Sequence, residues 1–291
     1  MSGPNSLTIW LTIGMGLGLV AALIGPTPTR LPDRLAVIPD SAVHIDNHIY
    51  DKEDFGWDDA EHPLKLVNGA RIPYFVDTLR EKLGKGPLKL LDVGCGGGIA
   101  TIEMAAAGFN VTGLDASAIS VKAAEKMAKE RSLSIQYVHG SAYSLPYHDD
   151  SFDAVLSSDV LEHLHDVRQA LKEVTRVLRP GGVFVFDTIN RSVFSWVVII
   201  RLMQDWLRYI PEAVHDWKLF ITPTELRRAL QDAGLEPCPS GAQHGMRPTF
   251  RLNPLSISRR LIKQGPGAFI DVWKQDMFFM GGSYLGYATK P

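Results

Sequence analysis

The sequence predicts a doubly wound α/β protein on a mostly parallel sheet, preceded by a membrane-spanning N-terminal helix. Three observations carry that reading. From Leu88 onward, short apolar runs alternate with segments of helical periodicity, the pattern of strands joined by crossover helices. A glycine-rich stretch, Gly94-Cys95-Gly96-Gly97-Gly98, links the first such run to the first such helix. Leu7 to Gly25 is nineteen residues of almost unbroken apolar character, enough to cross a hydrocarbon core as a helix.

In chain order, residues 1–30 form the anchor. Arg30 is the first charged side chain, so the basic leader of a cleaved signal peptide is missing. Arg30 and Arg34 follow the span and no Lys or Arg precedes it, which places the bulk of the chain on the cytoplasmic side. A bacterial inner membrane is favoured over an organelle inner membrane. Residues 31–62 form a linker and substrate-covering segment. It opens with Pro32 and Pro39 and continues from Ala42 to Ala60 with His44, His48, Tyr50, Phe55 and Trp57. The catalytic domain spans 63–291. Leu64, Val67, Ile72, Phe75, Leu79 and Leu83 keep helical spacing from Pro63, and Gly84 ends the pattern.

Strands are expected at LKLLDVG, NVTGLD, IQYVHG, FDAVLSSD and VFVFDTI. Helices are expected at Ile99–Ala107, Ser117–Arg131 and from Val167 to Leu178, with a turn at Pro180-Gly181-Gly182. A helical insertion at about 193–233 breaks the rhythm: Val193 to Ile210 starts apolar all round and becomes amphipathic, and Thr222-Pro223-Thr224-Glu225 opens a further helix. The final SYLGYATK alternates as an edge strand does.

Composition narrows the function. Hydrophobic residues make up 45% and charged residues 21%, so the chain can bury a core. A formal net charge of -2 and no lysine- or arginine-rich run argue against nucleic acid as partner. Two cysteines build no disulfide framework.

Glycines in a strand-to-helix turn let a ligand approach the backbone closely. No Gly-Lys-Ser/Thr follows them, which excludes a phosphate-cradling loop of that type. Asp115 closes the next strand, where an acid accepts hydrogen bonds from a ribose diol, a feature shared with dinucleotide-binding dehydrogenases. Beyond it come Gly140-Ser141-Ala142, Leu145-Pro146-Tyr147, Asp149 to Asp153, Asp159-Val160-Leu161-Glu162-His163-Leu164 and Leu178-Arg179-Pro180-Gly181-Gly182. With this ordered series the sequence resembles the class I S-adenosylmethionine-dependent methyltransferases, which implies a Rossmann-like seven-stranded sheet and S-adenosylmethionine as cosubstrate.

Thr188-Ile189-Asn190-Arg191, Ser195-Trp196, Tyr209-Ile210-Pro211 and His215 to Ile221 are similar to the ubiquinone-biosynthesis O-methyltransferase family. That resemblance implies methylation of a phenolic hydroxyl on a polyprenylated quinol or catechol precursor, with other quinone-biosynthesis proteins as possible partners. It also implies cofactor contacts from Arg71, Gly94, Gly96, Asp115 and Ser158, Arg71 meeting the cofactor's carboxylate. A Glu-x-x-Glu-His metal set of the family corresponds to Asp159, Glu162 and His163, which would hold Mg²⁺ against the acceptor oxygen. The first Glu is replaced by Asp159, and Leu-Glu-His also recurs in methyltransferases that use no metal. Without a metal, His163 or His215 is the candidate general base, since an imidazole titrates near neutrality. Two regions depart from the family. His48-Ile49-Tyr50-Asp51 replaces a paired-tryptophan motif, and Leu252 to Asp276 is an insert; both bear on the acceptor. Val193 to Ile210 reads either as a cap on the sheet or as an interfacial segment reaching a membrane-dissolved acceptor. The alternatives are a methyltransferase for another lipophilic acceptor, a cofactor-binding assembly subunit without turnover, and a dehydrogenase.

Overall fold

The structure, a computed structural model, describes residues 36–53, 55–59, 62–250, 270–276 and 280–291. The expected anchor at Leu7–Gly25 lies outside these residues. Among the described residues no helix is long and apolar enough to cross a membrane.

Helix α1 (Pro63–Leu83) leads into β1 (Lys89–Val93), α2 (Ile99–Ala106), β2 (Asn110–Asp115), α3 (Ala118–Glu130), β3 (Gln136–His139) and β4 (Phe152–Ser158). Then follow α4 (Val167–Val177), β5 (Leu178–Ile189), the short α5 (Val193–Ser195) running into a π-helix (Trp196–Trp206), and α6 (Pro223–Asp232). β6 (Glu236–Pro237), β7 (His244–Phe250), β8 (Ile270–Asp276) and β9 (Ser283–Thr289) complete the chain. The caps match their sequence signals. Ser117 accepts from the Ser120 amide at the start of α3. Thr222 and Glu225 form a reciprocal capping box on α6.

The strands form one sheet in the order β3-β2-β1-β4-β5-β9-β7-β8, with β6 paired to β9. β1 to β5 are parallel to one another and β9 runs antiparallel to β5. Alternate residues on each strand supply opposite cores, as the two-residue strand period requires. Leu91, Val155, Phe184 and Phe186 face α4 and α6. Leu90, Ala154, Leu156, Val183 and Val185 face α1 and α2.

Two expectations are corrected. Among the described residues the sheet has nine strands rather than seven, because β6 is an added two-residue strand and β8, in the insert, extends the edge beyond β7. The segment read as an edge strand is β9, an interior one that pairs with β5 on one side and β7 on the other. Its alternation reflects fit rather than exposure. Gly286 is small because the Phe186 ring occupies the space its Cβ would take, at 2.6 Å from Cζ. The expected turn at Pro180–Gly182 is absorbed into β5, whose register with β4 shifts between Phe152 and Ala154.

Candidate active site

In an open parallel sheet the ligand crevice lies beyond the C-terminal ends of the strands, where the order reverses. The switch here falls between β1 and β4, and the candidate residues gather at those ends. Gly94, just past β1, adopts φ +79°, and any Cβ there would meet Val160 Cγ2 at 2.4 Å. Its amide donates to the Leu114 carbonyl at 2.7 Å, tying the loop to β2. The Asp115 carboxylate accepts from the Gly96 amide at 2.7 Å and the Ser117 amide at 2.8 Å. Burial raises the Asp115 pKa and these two amides act against that rise. Gly94, Gly96 and Asp115 thus form one cradle.

The roof of the cradle comes from the N-terminal strap. The Trp57 indole lies over Gly96 and Gly97, so close that a Cβ on Gly97 would reach Trp57 Cγ at 2.3 Å. Trp57 Nε1 donates to Ser120 Oγ at 3.2 Å, and the Tyr50 carbonyl accepts from the Ser117 and Ser120 hydroxyls at 2.9 Å. His62 stacks on Trp57, with ring centroids 5.4 Å apart and an interplanar angle of 19°. On the other side the strap is pinned to the loop ahead of Phe220. There the His44 amide donates to Asp216 Oδ2 at 2.8 Å and the Asp46 amide to the Ala213 carbonyl at 2.8 Å.

The floor is a buried ionic network. Arg71 on α1 donates through Nε to Asn68 Oδ1 at 2.7 Å and through Nη1 to Asp159 Oδ2, with Asp187 Oδ2 at 3.6 Å. Burial opposes the charge on Asp159, but the Arg71 guanidinium beside it outweighs burial and holds the carboxyl below its usual range. Burial pushes Glu162 and Asp187 well upward, and the negative Asp159 adds to the rise in both. The one cation stands beside both Asp159 and Asp187, with Asp159 the closer. Asp187 Oδ1 accepts from Ser158 Oγ at 2.5 Å, which assigns the Ser158 side chain to this network. Glu162 Oε2 accepts from Thr188 Oγ1 at 2.8 Å.

His163 and His215 stand together, ring centroids 5.2 Å apart, and the Tyr50 ring meets His163 edge-on at 5.8 Å. Burial lowers the pKa of His163 to about 4, against the pull of Asp159. Burial, then His163, lowers that of His215 to about 3. Both imidazoles are neutral at neutral pH. Their Nδ1 atoms and Glu162 Oε1 are buried without a hydrogen-bond partner among the described residues. Beside His215, Asp216 caps a short turn of helix by accepting from the Lys218 amide.

The donors predicted for Mg²⁺ do not form a metal site in this arrangement. Among the described residues no group of three His, Cys, Asp or Glu side chains is arranged to hold a metal ion. Asp159 is committed to Arg71, and Glu162 is fully buried on the Thr188 hydroxyl.

Three contributors escaped the sequence reading. Asp187 sits in the apolar run VFVFDTI, and a charged residue in a doubly buried strand was itself a signal. Trp57 and Tyr50 belonged to a segment whose aromatic content was visible but whose destination was not.

A glycine cradle at the topological switch, an acid closing β2 and a buried arginine at the strand ends define a class I S-adenosylmethionine-dependent methyltransferase. The methyltransferase-domain family matches residues 91–186. Solved structures with this fold include a putative methyltransferase of Haloferax volcanii in complex with its Trm112 activator (TM-score 0.54, 21% identity, 84% of this chain and 97% of that one). A putative methyltransferase from Bacillus halodurans aligns with TM-score 0.52 at 18% identity, over 74% of this chain and 98% of that one. The ubiquinone biosynthesis O-methyltransferase of Dinoroseobacter shibae is 36% identical over 183 residues, 60% of this chain and 74% of that protein. That of Ruegeria pomeroyi is 35% identical over 202 residues, 67% of this chain and 79% of that protein. The chain belongs to the ubiquinone biosynthesis O-methyltransferase family. It is an S-adenosylmethionine-dependent O-methyltransferase.

Proposed function

We propose that the enzyme methylates a phenolic hydroxyl of a polyprenylated quinol or catechol precursor in ubiquinone-type quinone biosynthesis, working at a membrane surface. The observation that carries the acceptor assignment is the neutral His163–His215 pair beside the cradle, each ring with an unpartnered Nδ1. In this reading Gly94 and Gly96 lie against the methionine part of S-adenosylmethionine and Asp115 holds its ribose. Arg71 takes its carboxylate, and the Ser158 region lines the floor. The sulfonium supplies an activated methyl group, so the protein's main task is alignment.

The acceptor proton is the remaining problem. Tyr50 is a phenol beside this site, and burial, followed by the charges of Glu162, Asp159 and Asp115, raises its pKa. An acceptor phenol placed there meets the same penalty, so its proton leaves as the oxygen attacks the methyl carbon and the carbon–sulfur bond breaks. His163 or His215 accepts the proton, and the nearby Asp159 carboxylate favours the resulting imidazolium.

Membrane work is supported by the exposed apolar side chains around the π-helix, Val193, Phe194, Trp206 and Leu207, and by the apolar Leu7–Gly25 run. The catalytic domain lies on the cytoplasmic side, as Arg30 and Arg34 suggest. Tethering raises the effective concentration of an acceptor that never leaves the bilayer. Methyl transfer from labelled S-adenosylmethionine to a short-chain demethylated ubiquinol, with Mg²⁺ and with chelator, tests this. Turnover indifferent to chelator is expected, with a histidine as base. Turnover abolished by chelator returns Asp159, Glu162 and His163 to a metal role. Cofactor binding without turnover sends the reading to another lipophilic acceptor.

A further inference from the structure

The carboxylate that Arg71 holds in this structure belongs to the protein itself. Arg71 is 2% exposed and Asp187 is fully buried, whereas the Asp159 side chain is 22% exposed. Solvent, and anything arriving from the crevice, reaches the guanidinium past Asp159. Nε is on Asn68 Oδ1 at 2.7 Å and Nη2 reaches the Leu64 carbonyl at 3.4 Å, while Nη1 is the end of the fork that Asp159 holds. A second carboxylate approaching Nη1 from the crevice meets Asp159 already in place.

Asp159 is also placed to leave. It follows β4 with φ +53°, a left-handed backbone that aspartate tolerates better than most side chains, and it stands on the crevice side of the network. With Asp159 gone, Arg71 keeps Asp187 within 3.6 Å, so the cation is not stranded.

We propose that Asp159 is a built-in competitor for the cofactor's α-carboxylate: it neutralises Arg71 in the free enzyme and is displaced when S-adenosylmethionine or S-adenosylhomocysteine binds. This rests on the assignment of Arg71 to that carboxylate. A site occupied about nine-tenths of the time by an internal competitor loses about tenfold in apparent affinity, and removing the competitor restores it. The competition applies to ligands with an amino-acid tail and leaves the nucleoside part untouched.

The experiment is calorimetric titration of the full-length wild-type and Asp159→Asn proteins with S-adenosylhomocysteine and with 5′-methylthioadenosine, which has no carboxylate. Expected is about tenfold tighter binding of S-adenosylhomocysteine to the variant, with 5′-methylthioadenosine unchanged. Weaker or unchanged S-adenosylhomocysteine binding overturns the competition. If the wild type still prefers S-adenosylhomocysteine over 5′-methylthioadenosine and Arg71→Met abolishes that preference, the Arg71 assignment survives. Equal changes for both nucleosides make Asp159 a structural residue and overturn the proposal. If neither protein distinguishes the two nucleosides, the Arg71 assignment falls and the competition with it. Should the variant fail to fold, a crystal structure of the wild type with S-adenosylhomocysteine decides: Asp159 off Arg71 supports the proposal, and an intact Arg71–Asp159 bond overturns it.

Discussion

His163 and His215 show how burial sets chemistry. Each imidazole is stripped of water and shares its surroundings with the other, so both stay neutral where a free histidine would begin to protonate. A neutral imidazole beside a phenol is a proton acceptor, and general-base catalysis contributes about a hundredfold or more to rate. His163→Ala should therefore lower kcat by about a hundredfold while leaving the Kd for S-adenosylhomocysteine within about threefold. Parallel loss of both would make the ring a packing element. The sequence pointed to His163 through the Leu-Glu-His pattern and to His215 through the family block, but not to their contact. Fifty-one residues of intervening sheet and helix bring them together, and no local pattern encodes that meeting. The charge state of Asp159 was equally hidden, because it depends on Arg71 from a helix far upstream.

The strap and the helix it leads into obey the same physics over a longer span. His62 caps α1 by accepting from the Leu64 amide through Nδ1, and it stacks on Trp57. Burial, then Lys65, lowers its pKa to about 4. Below pH 6.5 the unfolded chain binds a proton that the folded ring refuses. Stability from this group is therefore full above 6.5 and is lost as pH falls toward 4. The shift corresponds to a contribution on the order of 3 kcal/mol at most. His62→Asn keeps a capping acceptor without a titrating ring, so its unfolding free energy should vary less between pH 6.5 and 4 in denaturant titrations. Trp57→Ala removes a buried ring worth about 3 kcal/mol, and the loss should appear as local opening. Protease cleavage in the strap is then expected to accelerate by about a hundredfold. An unchanged cleavage rate would show that the hydroxyl contacts to Tyr50 and the bonds to the 213–216 loop hold the strap without Trp57. The helices were legible here because caps and periodicity are local. The strap's docking was not, because it is held by contacts to distant serines and to the 213–216 loop.

The molecule as a whole was legible up to β5, where apolar runs and helical periods follow one another without interruption. It became obscure where the sheet turns antiparallel. The end of the sheet depends on the pairing of β9 with β5 and β7, and its small residues disguise an interior strand as a peripheral one. Gly286→Ala puts a methyl group into the space of the buried Phe186 ring, and overpacking of this kind costs about 1–3 kcal/mol. Thermal unfolding should show a lowered Tm for Gly286→Ala. Gly86→Ala, where a Cβ meets nothing within 4 Å, should leave the Tm in place.

The position of β9 also dictates the order in which the protein can be born. Both strands that flank it, β5 and β7, emerge from the ribosome earlier, yet neither can complete its pairing on that side until β9 follows. Throughout that interval β5 presents an apolar open edge, the feature most prone to wrong pairing with another chain. A chain stopped short of Ser283 would carry the whole cofactor cradle and still lack the strand that joins β5 to β7.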